Sequence, residues 1–88
     1  MLNSLNLNNN KLGSEVGKAL ADALCKNSTL TSLELGQNKL VSEGGKALAD
    51  ALCKNITLTY LDIRNNSINF KLTSNNPNIK ILQDRIHV

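Results

Sequence analysis

The sequence predicts an α/β protein built from stacked copies of one strand–helix unit. Residues 30–57 repeat residues 2–29 at a spacing of 28 residues, and seven positions differ between the two copies. A third copy begins at Leu58 and loses the pattern after Ile68. Near-identity at a period of this size is the signature of a repeat protein, whose units stack on one another to bury a shared core.

The opening of each unit predicts a β-strand. The pattern is Leu-x-x-Leu-x-Leu-x-x-Asn-x-Leu, with isoleucine at two of the positions in the third copy. The Leu-x-Leu alternation is typical of a short strand with one buried face. Every unit runs in the same direction, so neighbouring strands are expected to pair in parallel, with roughly 20 residues available for each crossover. We place the strands at about residues 4–8, 32–36 and 60–64.

The second half of each full unit predicts a helix, over residues 14–26 and 42–54. Its apolar residues recur at i, i+3, i+4, i+7 and i+8, which is one stripe of a helix. We expect Ser14 and Ser42 to cap the helix N-termini, and Asn27 and Asn55 to end the helices in a left-handed conformation. The stripe in the first unit consists of Val16, Ala19, Leu20, Ala23 and Leu24.

The last part of the chain departs from the repeat. Pro77 forbids a helix through its position. We interpret residues 79–83 as a short closing strand, because the spacing Ile79-x-x-Leu82 repeats that of the strand openings. Asp84, however, falls where the next strand leucine belongs. The alternative is a terminal helix that begins at Pro77.

The length of 88 residues predicts a single domain. Aromatic residues make up 2% of the chain, so the core is expected to consist of Leu, Ile and Ala. We divide the predicted domain 1–88 into units 2–29, 30–57 and a truncated 58–76, followed by a closing segment 77–88.

Charge and hydropathy exclude two classes of partner. The net charge is +3, but the lysines are spread through the repeats and are not interleaved with aromatic residues, so no nucleic acid is expected to bind. No apolar run approaches the roughly 18 residues that span a membrane. The polar first ten residues lack the pattern of a signal peptide, and we expect a cytoplasmic location.

The motif LTSLELGQNKL followed by SEGGKALADALCKN resembles the leucine-rich repeats of the ribonuclease-inhibitor-like type. Similar repeats occur in NOD-like receptors and Ran GTPase-activating proteins. The resemblance covers residues 2 to about 68. It implies a solenoid, here a short horseshoe segment, with parallel strands on the concave side and helices on the convex side.

The outward positions of the strands are the predicted binding residues. Several differences between the copies fall on these positions, and Tyr and Arg, which the third copy adds, are enriched at binding hot spots. We therefore predict a non-enzymatic protein–protein interaction module that binds a protein partner on the concave strand face. The predicted contact residues are Ser4, Asn6, Asn8, Ser32, Glu34, Gly36, Tyr60, Asp62 and Arg64.

An alternative function follows from the same resemblance. The chain would then be a fragment of a larger receptor or GTPase-activating repeat protein, with no independent activity. Activation of a GTPase requires a catalytic arginine, and the two arginines here are Arg64 and Arg85.

The remaining polar residues are interpreted structurally. Asn10, Asn38 and Asn66 follow the strands, where an amide side chain can both donate to and accept from the turn backbone. Cys25 and Cys53 occupy the same position in successive units. They are expected to be buried free thiols, because equivalent helix positions lie roughly 8–10 Å apart, too far for a disulfide. We predict no metal, cofactor or catalytic residue, and a surface location for His87.

The N-terminal end of the stack is predicted to be uncapped. A first strand that starts the stack exposes unpaired backbone groups and one side of its leucine layer. We expect the isolated chain to be either weakly folded or self-associated through this end.

Overall fold

The computed structural model describes residues 3–85, which form a four-stranded sheet and two helices. The strand order is β1-β2-β3-β4, and every neighbouring pair is parallel, which confirms the predicted pairing. The elements are β1 (Ser4–Asn6), α1 (Gly13–Lys26), β2 (Ser32–Glu34), α2 (Val41–Leu52), β3 (Tyr60–Asp62) and β4 (Lys80–Leu82). Neither helix is long and apolar enough to cross a membrane.

The strands pair at the repeat period. Leu5 pairs with Leu33, which in turn pairs with Leu61. Each of the first three strands is two residues shorter than predicted, although backbone hydrogen bonds continue past its end, as from the N–H of Leu35 to the carbonyl of Asp62 at 2.7 Å. The chain then turns at residues with positive φ, such as Gln37 with a φ of 55°. The sheet therefore presents one inward leucine from each of the first three strands.

The core lies between the sheet and the two helices and is centred on the second unit. Leu33 and Leu35 contribute from the strand side, and Leu48 and Leu52 from α2, and each is at most 1% exposed. Units on both sides cover this layer, which explains why the second unit is buried more completely than the first.

The predicted apolar stripe of α1 is only partly buried. Val16, Ala19 and Ala23 are exposed, and the buried residues of α1 are Gly17, Ala21 and Leu24. The predicted burial is therefore correct for Leu24, which packs in the core, but wrong for the residues on the side of α1 that faces away from α2. In α2, which α1 covers, the positions equivalent to Val16, Leu20 and Ala23 are buried. They are Gly44, Leu48 and Ala51.

The predicted serine caps are wrong. Each helix begins one residue before its serine, and no side chain caps either helix. The N–H of Val41, the first residue of α2, instead donates to the carbonyl oxygen of Asn66 in the next unit at 2.9 Å, and α1 makes the equivalent bond at 2.8 Å. Stacking thus satisfies a helix-terminal N–H that a side chain would satisfy in an isolated helix.

The asparagines after the helices do not adopt the predicted left-handed conformation. Asn27 is extended, with φ −87° and ψ 133°. Its side-chain oxygen accepts the N–H groups of Thr29 and Leu30, which shapes the turn into the next strand. Asn55 is buried and its amide donates to the carbonyl of Leu24 in the preceding unit at 2.8 Å. Asn27 ends α1, but α2 ends at Leu52, so the prediction that Asn55 ends the second helix is wrong. The amide of Asn55 also donates to the carbonyl of Asn27, which connects the two units.

The closing strand forms as predicted, and no terminal helix begins at Pro77 within residues 3–85. Its pairing with β3 is shifted by one residue from the predicted register. Ile81, and not Leu82, pairs with Leu61. Because side chains alternate across a strand, a shift of one residue exchanges the two faces. Gln83 therefore lies on the same face as Ile81, and its side-chain oxygen accepts the N–H of Leu72 at 3.0 Å.

Asp84 occupies the position of Arg64 in this shifted register and closes the last turn. Its carboxylate accepts the N–H of Asn65 at 2.7 Å. In the unit before, the equivalent N–H of Gln37 donates to the carbonyl of Arg64. A side-chain oxygen thus replaces the carbonyl that another unit would supply.

Val41 adopts an unfavourable backbone conformation. Its φ is 53°, whereas Gly13 fills the same position of the first unit with a φ of 78°. Positive φ is costly for a β-branched residue and is readily adopted by glycine. We expect Val41→Gly to raise the free energy of unfolding by about 0.5–2 kcal/mol, since relief of strain exceeds the entropic cost of glycine.

The matched change for this prediction is Gly13→Val. It should lower the free energy of unfolding by a similar amount, although nothing lies within 4 Å of the position that a Cβ would take there. Urea unfolding of both variants provides the measurement. A loss of stability in Val41→Gly would contradict the strain argument.

The two cysteines are free, as predicted, but they are not both buried. Cys25 lies within α1 and is half-buried, while Cys53 follows the end of α2 and is exposed. In a thiol titration, we expect Cys53 to react quickly and Cys25 to react slowly until denaturant is added. Cys53→Ser should remove the fast phase alone. Equal rates for the two thiols would contradict the difference in exposure between Cys25 and Cys53.

Candidate functional site

The polar positions of the first three strands lie together on one side of the sheet. We call this surface the strand outer face. The parallel register aligns its residues in rows across the strands, because residues at the repeat period pair directly. The rows are Ser4, Ser32 and Tyr60, then Asn6, Glu34 and Asp62, and beyond the strand ends Asn8, Gly36 and Arg64.

The nine predicted residues differ in how much surface they offer. Ser4, Asn6 and Arg64 are exposed. Gly36 and Asp62 are buried and offer a partner little surface, whereas the sequence predicted both as contact residues. The accessible chemistry of the face therefore comes from hydroxyls, amides, one carboxylate and one guanidinium. The remaining four residues, all half-buried, are Asn8, Ser32, Glu34 and Tyr60.

Asp62 is buried because Arg64 covers it. The guanidinium of Arg64 donates to both carboxylate oxygens, at 3.0 Å from Nε and 2.8 Å from Nη2, and the backbone N–H of Arg64 donates as well. The Asp62 side chain is 5% exposed, whereas that of Arg64 is 53% exposed. This bidentate pair fixes the direction of the arginine and leaves its outer edge open to solvent.

The hydrogen bond from Arg64 lowers the pKa of Asp62 from its ordinary value, because it stabilises the charged carboxylate. The pKa of Arg64 is raised for the same reason. Since the carboxyl has a lower pKa in the folded state, its contribution to stability is complete above the unfolded value of about 3.9. That contribution is lost as the pH falls through the folded value.

We therefore expect the free energy of unfolding to fall as the pH decreases below about 4. Part of this dependence should disappear in the double variant Asp62→Asn with Arg64→Gln, which removes both charges. Asp50→Asn, on an exposed helix surface, is the control. Urea unfolding between neutral pH and about pH 2 measures the effect. An identical pH profile in the double variant and the wild type would contradict this role.

Asn8 and Gly36 form a second contact between units. The side-chain oxygen of Asn8 accepts the N–H of Gly36 at 2.6 Å. A Cβ at position 36 would lie 3.1 Å from that oxygen, so glycine allows the asparagine to approach the neighbouring backbone. Asn8 is thus engaged within the fold, and only part of its amide faces outward.

A shallow pocket of about 190 Å³ lies at the strand ends of this face. The residues that line it include three that sequence reasoning missed, namely Asn9, Gln37 and Asn65. They follow the strands at the same position of each unit and all have positive φ. Their signal in the sequence was the Asn9/Gln37 difference, one of the few between the first two copies.

A ladder of asparagines supports the turns beneath this pocket. The side-chain oxygen of Asn38 accepts the N–H of Asn10 at 2.8 Å, and that of Asn66 accepts the N–H of Asn38 at 2.9 Å. The amide of Asn38 donates to the carbonyl of Leu7 in the preceding unit. Each asparagine after the first therefore binds backbone groups of two units, which fixes the spacing between them.

Metal-ligand chemistry receives no support from the part of the chain that the structure describes. No group of three or more His, Cys, Asp or Glu side chains in residues 3–85 could hold a metal ion. His87 lies outside the described residues, and its predicted surface location stays a prediction.

A family model described as "Leucine Rich repeat" matches residues 1–21, 26–49 and 54–69. These three segments correspond to the three units, each with its strand and turn asparagine. The chain belongs to the leucine-rich repeat family. Leucine-rich repeats generally mediate protein–protein interactions, and domains built from them are typically not enzymes. A comparison with curated proteins finds no match.

Proposed function

We propose that this leucine-rich repeat protein is a non-enzymatic binding module that holds a protein partner on its strand outer face. We further assign it to the ribonuclease-inhibitor-like subtype and expect the strands to line the concave side of a short solenoid. The long helix in each full unit, 14 residues in α1 and 12 in α2, supports the subtype. A cytoplasmic location is part of the proposal, and it agrees with the two free thiols.

The observation that carries this proposal is the contrast between a repeated scaffold and a varied surface. The inward leucines and the ladder asparagines recur in each unit. The accessible positions of the outer face, by contrast, change between units, from Asn6 to Glu34 in the middle row and from Ser32 to Tyr60 in the first row. Packing does not require these changes, because the side chains leave the core. They give the face a pattern of hydrogen-bonding groups that differs from strand to strand.

Two side chains of this face are suited to anchor a partner. Tyr60 is half-buried and ends the row that begins with Ser4 and Ser32. It offers a partner both an aromatic ring and a hydroxyl group. Glu34 lies in the next row of the neighbouring strand and provides an acidic contact. Arg64 adds a fixed guanidinium whose outer edge is open, although Asp62 already engages its Nε and Nη2. A partner with a mixed polar surface and a basic group would complement this arrangement.

The test compares two double variants. Glu34→Ala with Tyr60→Ala removes the anchors, and Lys46→Ala with Lys54→Ala changes two exposed lysines, one on α2 and one just after its end. Arg64 is left intact, because its loss would leave the buried carboxylate of Asp62 unpaired and would confuse binding with folding.

We expect tagged wild-type protein and the lysine variant to capture the same partner from lysate, identified by mass spectrometry, and the Glu34/Tyr60 variant to lose it. Circular dichroism should be unchanged in both variants. Equal capture by the two variants would contradict the proposed face.

A further inference from the structure

The first unit exposes an apolar surface on the side that faces away from the second unit. We call this surface the N-terminal face and define it by Leu5, Val16, Leu20 and Ala23. Val16 is 37% exposed, Ala23 is exposed, and the two leucines are half-buried. A mainly apolar pocket of about 110 Å³ is lined by Leu5, Leu20 and Ala23 of this face and reaches Leu30 and Leu33 of the second unit. The same end carries β1, whose one neighbour among the described strands is β2.

The second unit shows what this face looks like when it is covered. Leu33, Leu48 and Ala51 are equivalent to Leu5, Leu20 and Ala23, and each is at most 1% exposed because the first unit packs on them. Removing such apolar surface from water is favourable by about 25 cal/mol of free energy per Å². The N-terminal face thus has the composition of an interface that is buried elsewhere in the same molecule.

A further unit of the same sequence does not fit this face in the same way. Where α1 meets α2, a Cβ on Gly17 would lie 3.4 Å from the Cα of Gly44. A Cβ on Gly44 would lie 3.5 Å from the Cα of Ser14. The two helices therefore approach closely at glycine. The position equivalent to Gly44 in α1 is Val16, whose larger side chain prevents another helix from docking at that distance.

The two ends of the stack differ in charge. The edge strand β4 is flanked by exposed charged residues, Lys80 at its start and Asp84 and Arg85 after its end. Charges at an edge oppose pairing with another chain. Strand β1, in contrast, carries the uncharged Ser4 and Asn6. Contact of the N-terminal face with the opposite end of another copy would form an open-ended chain and would meet these charges, so a closed, two-fold arrangement is favoured.

We propose that the N-terminal face binds the same face of a second copy of this chain, with the two α1 helices antiparallel across a two-fold axis. Glu15 lies near the start of α1 and Lys26 at its end, and both are exposed. An antiparallel arrangement brings Glu15 of each copy towards Lys26 of the other. Ala19 and Ala23 lie near the middle, where small side chains allow the helices to come close. The four residues that define the N-terminal face lie outside the rows of the strand outer face, and the proposal does not depend on the proposed function.

The first test measures the association state by sedimentation equilibrium of the 88-residue chain, from about 1 µM to about 1 mM. We expect the dimer fraction of the wild type to rise with concentration. Ala23→Glu should leave the chain monomeric, because it places a charge in the apolar centre of the interface. Ile56→Glu is the control, since Ile56 is 72% exposed and lies away from this face, and it should still form the dimer.

The second test uses charge exchange at low salt. Glu15→Lys and Lys26→Glu should each weaken the dimer by about tenfold, because two attractive contacts become repulsive. The double variant should restore the wild-type affinity. A wild type that stays monomeric, a dimer that tolerates Ala23→Glu, assemblies larger than a dimer, or a double variant that remains weak would each overturn the proposal.

Discussion

Asn66→Ala is expected to lower the free energy of unfolding by about 3 kcal/mol or more. The side-chain oxygen of Asn66 accepts the N–H groups of Asn38 and Leu40, at 2.9 and 3.1 Å, and its amide donates to the carbonyl of Leu35 at 2.8 Å. All of these groups are buried. Alanine would leave them without partners, and each unsatisfied buried polar group costs about 1–3 kcal/mol.

The matched control is Asn10→Ala, at the same position of the first unit. Asn10 is exposed, and its amide donates to carbonyls within its own unit. Its loss should cost at most about 1 kcal/mol, because water can replace these bonds. Urea unfolding of the two variants measures the difference. Equal losses would mean that the ladder does not hold the units together.

Gly44→Val is expected to have the second largest effect, a loss of about 2–3 kcal/mol. This change gives α2 the residue that α1 carries at position 16. A Cβ at position 44 would lie 3.1 Å from the Cβ of Leu40, a fully buried residue, and 3.5 Å from the backbone of Ser14. The remaining atoms of valine have no space unless the two helices separate, which would expose the core between the units.

The reciprocal change, Val16→Gly, should alter stability by less than about 1 kcal/mol, because Val16 is 37% exposed and only helix propensity is lost. Thermal unfolding followed by circular dichroism compares the two variants. If Gly44→Val unfolds at the same temperature as Val16→Gly, then the close approach of the helices at Gly17 and Gly44 is not a feature of the folded protein.

The repeat made the central features of the fold predictable. A strand recurs at the same place in each copy, so a single alternating leucine pattern was enough to place β1, β2 and β3 and to pair them in parallel. The ladder asparagines could be placed in the same way, because a turn that recurs beside itself must satisfy its backbone groups from the neighbouring unit.

The errors occurred where one unit depends on another. Ser14 and Ser42 had the composition of caps, but the next unit supplies the acceptor for the first N–H of each helix. The register of the closing strand could not be derived from Ile79 and Leu82 alone, since both faces of β4 carry apolar residues. The burial of Asp62 was predictable in principle, because Asp62 and Arg64 are two residues apart and share one face of the predicted strand 60–64.

The proposed binding face is tested most directly by site-specific photo-cross-linking. A photoreactive amino acid would replace Glu34 on the strand outer face or Lys46 on α2, in otherwise unchanged protein, and illumination would follow partner capture. We predict that position 34 forms a covalent adduct with the captured partner and that position 46 does not. An adduct from position 46 alone would place the partner on the helices and contradict the proposed function.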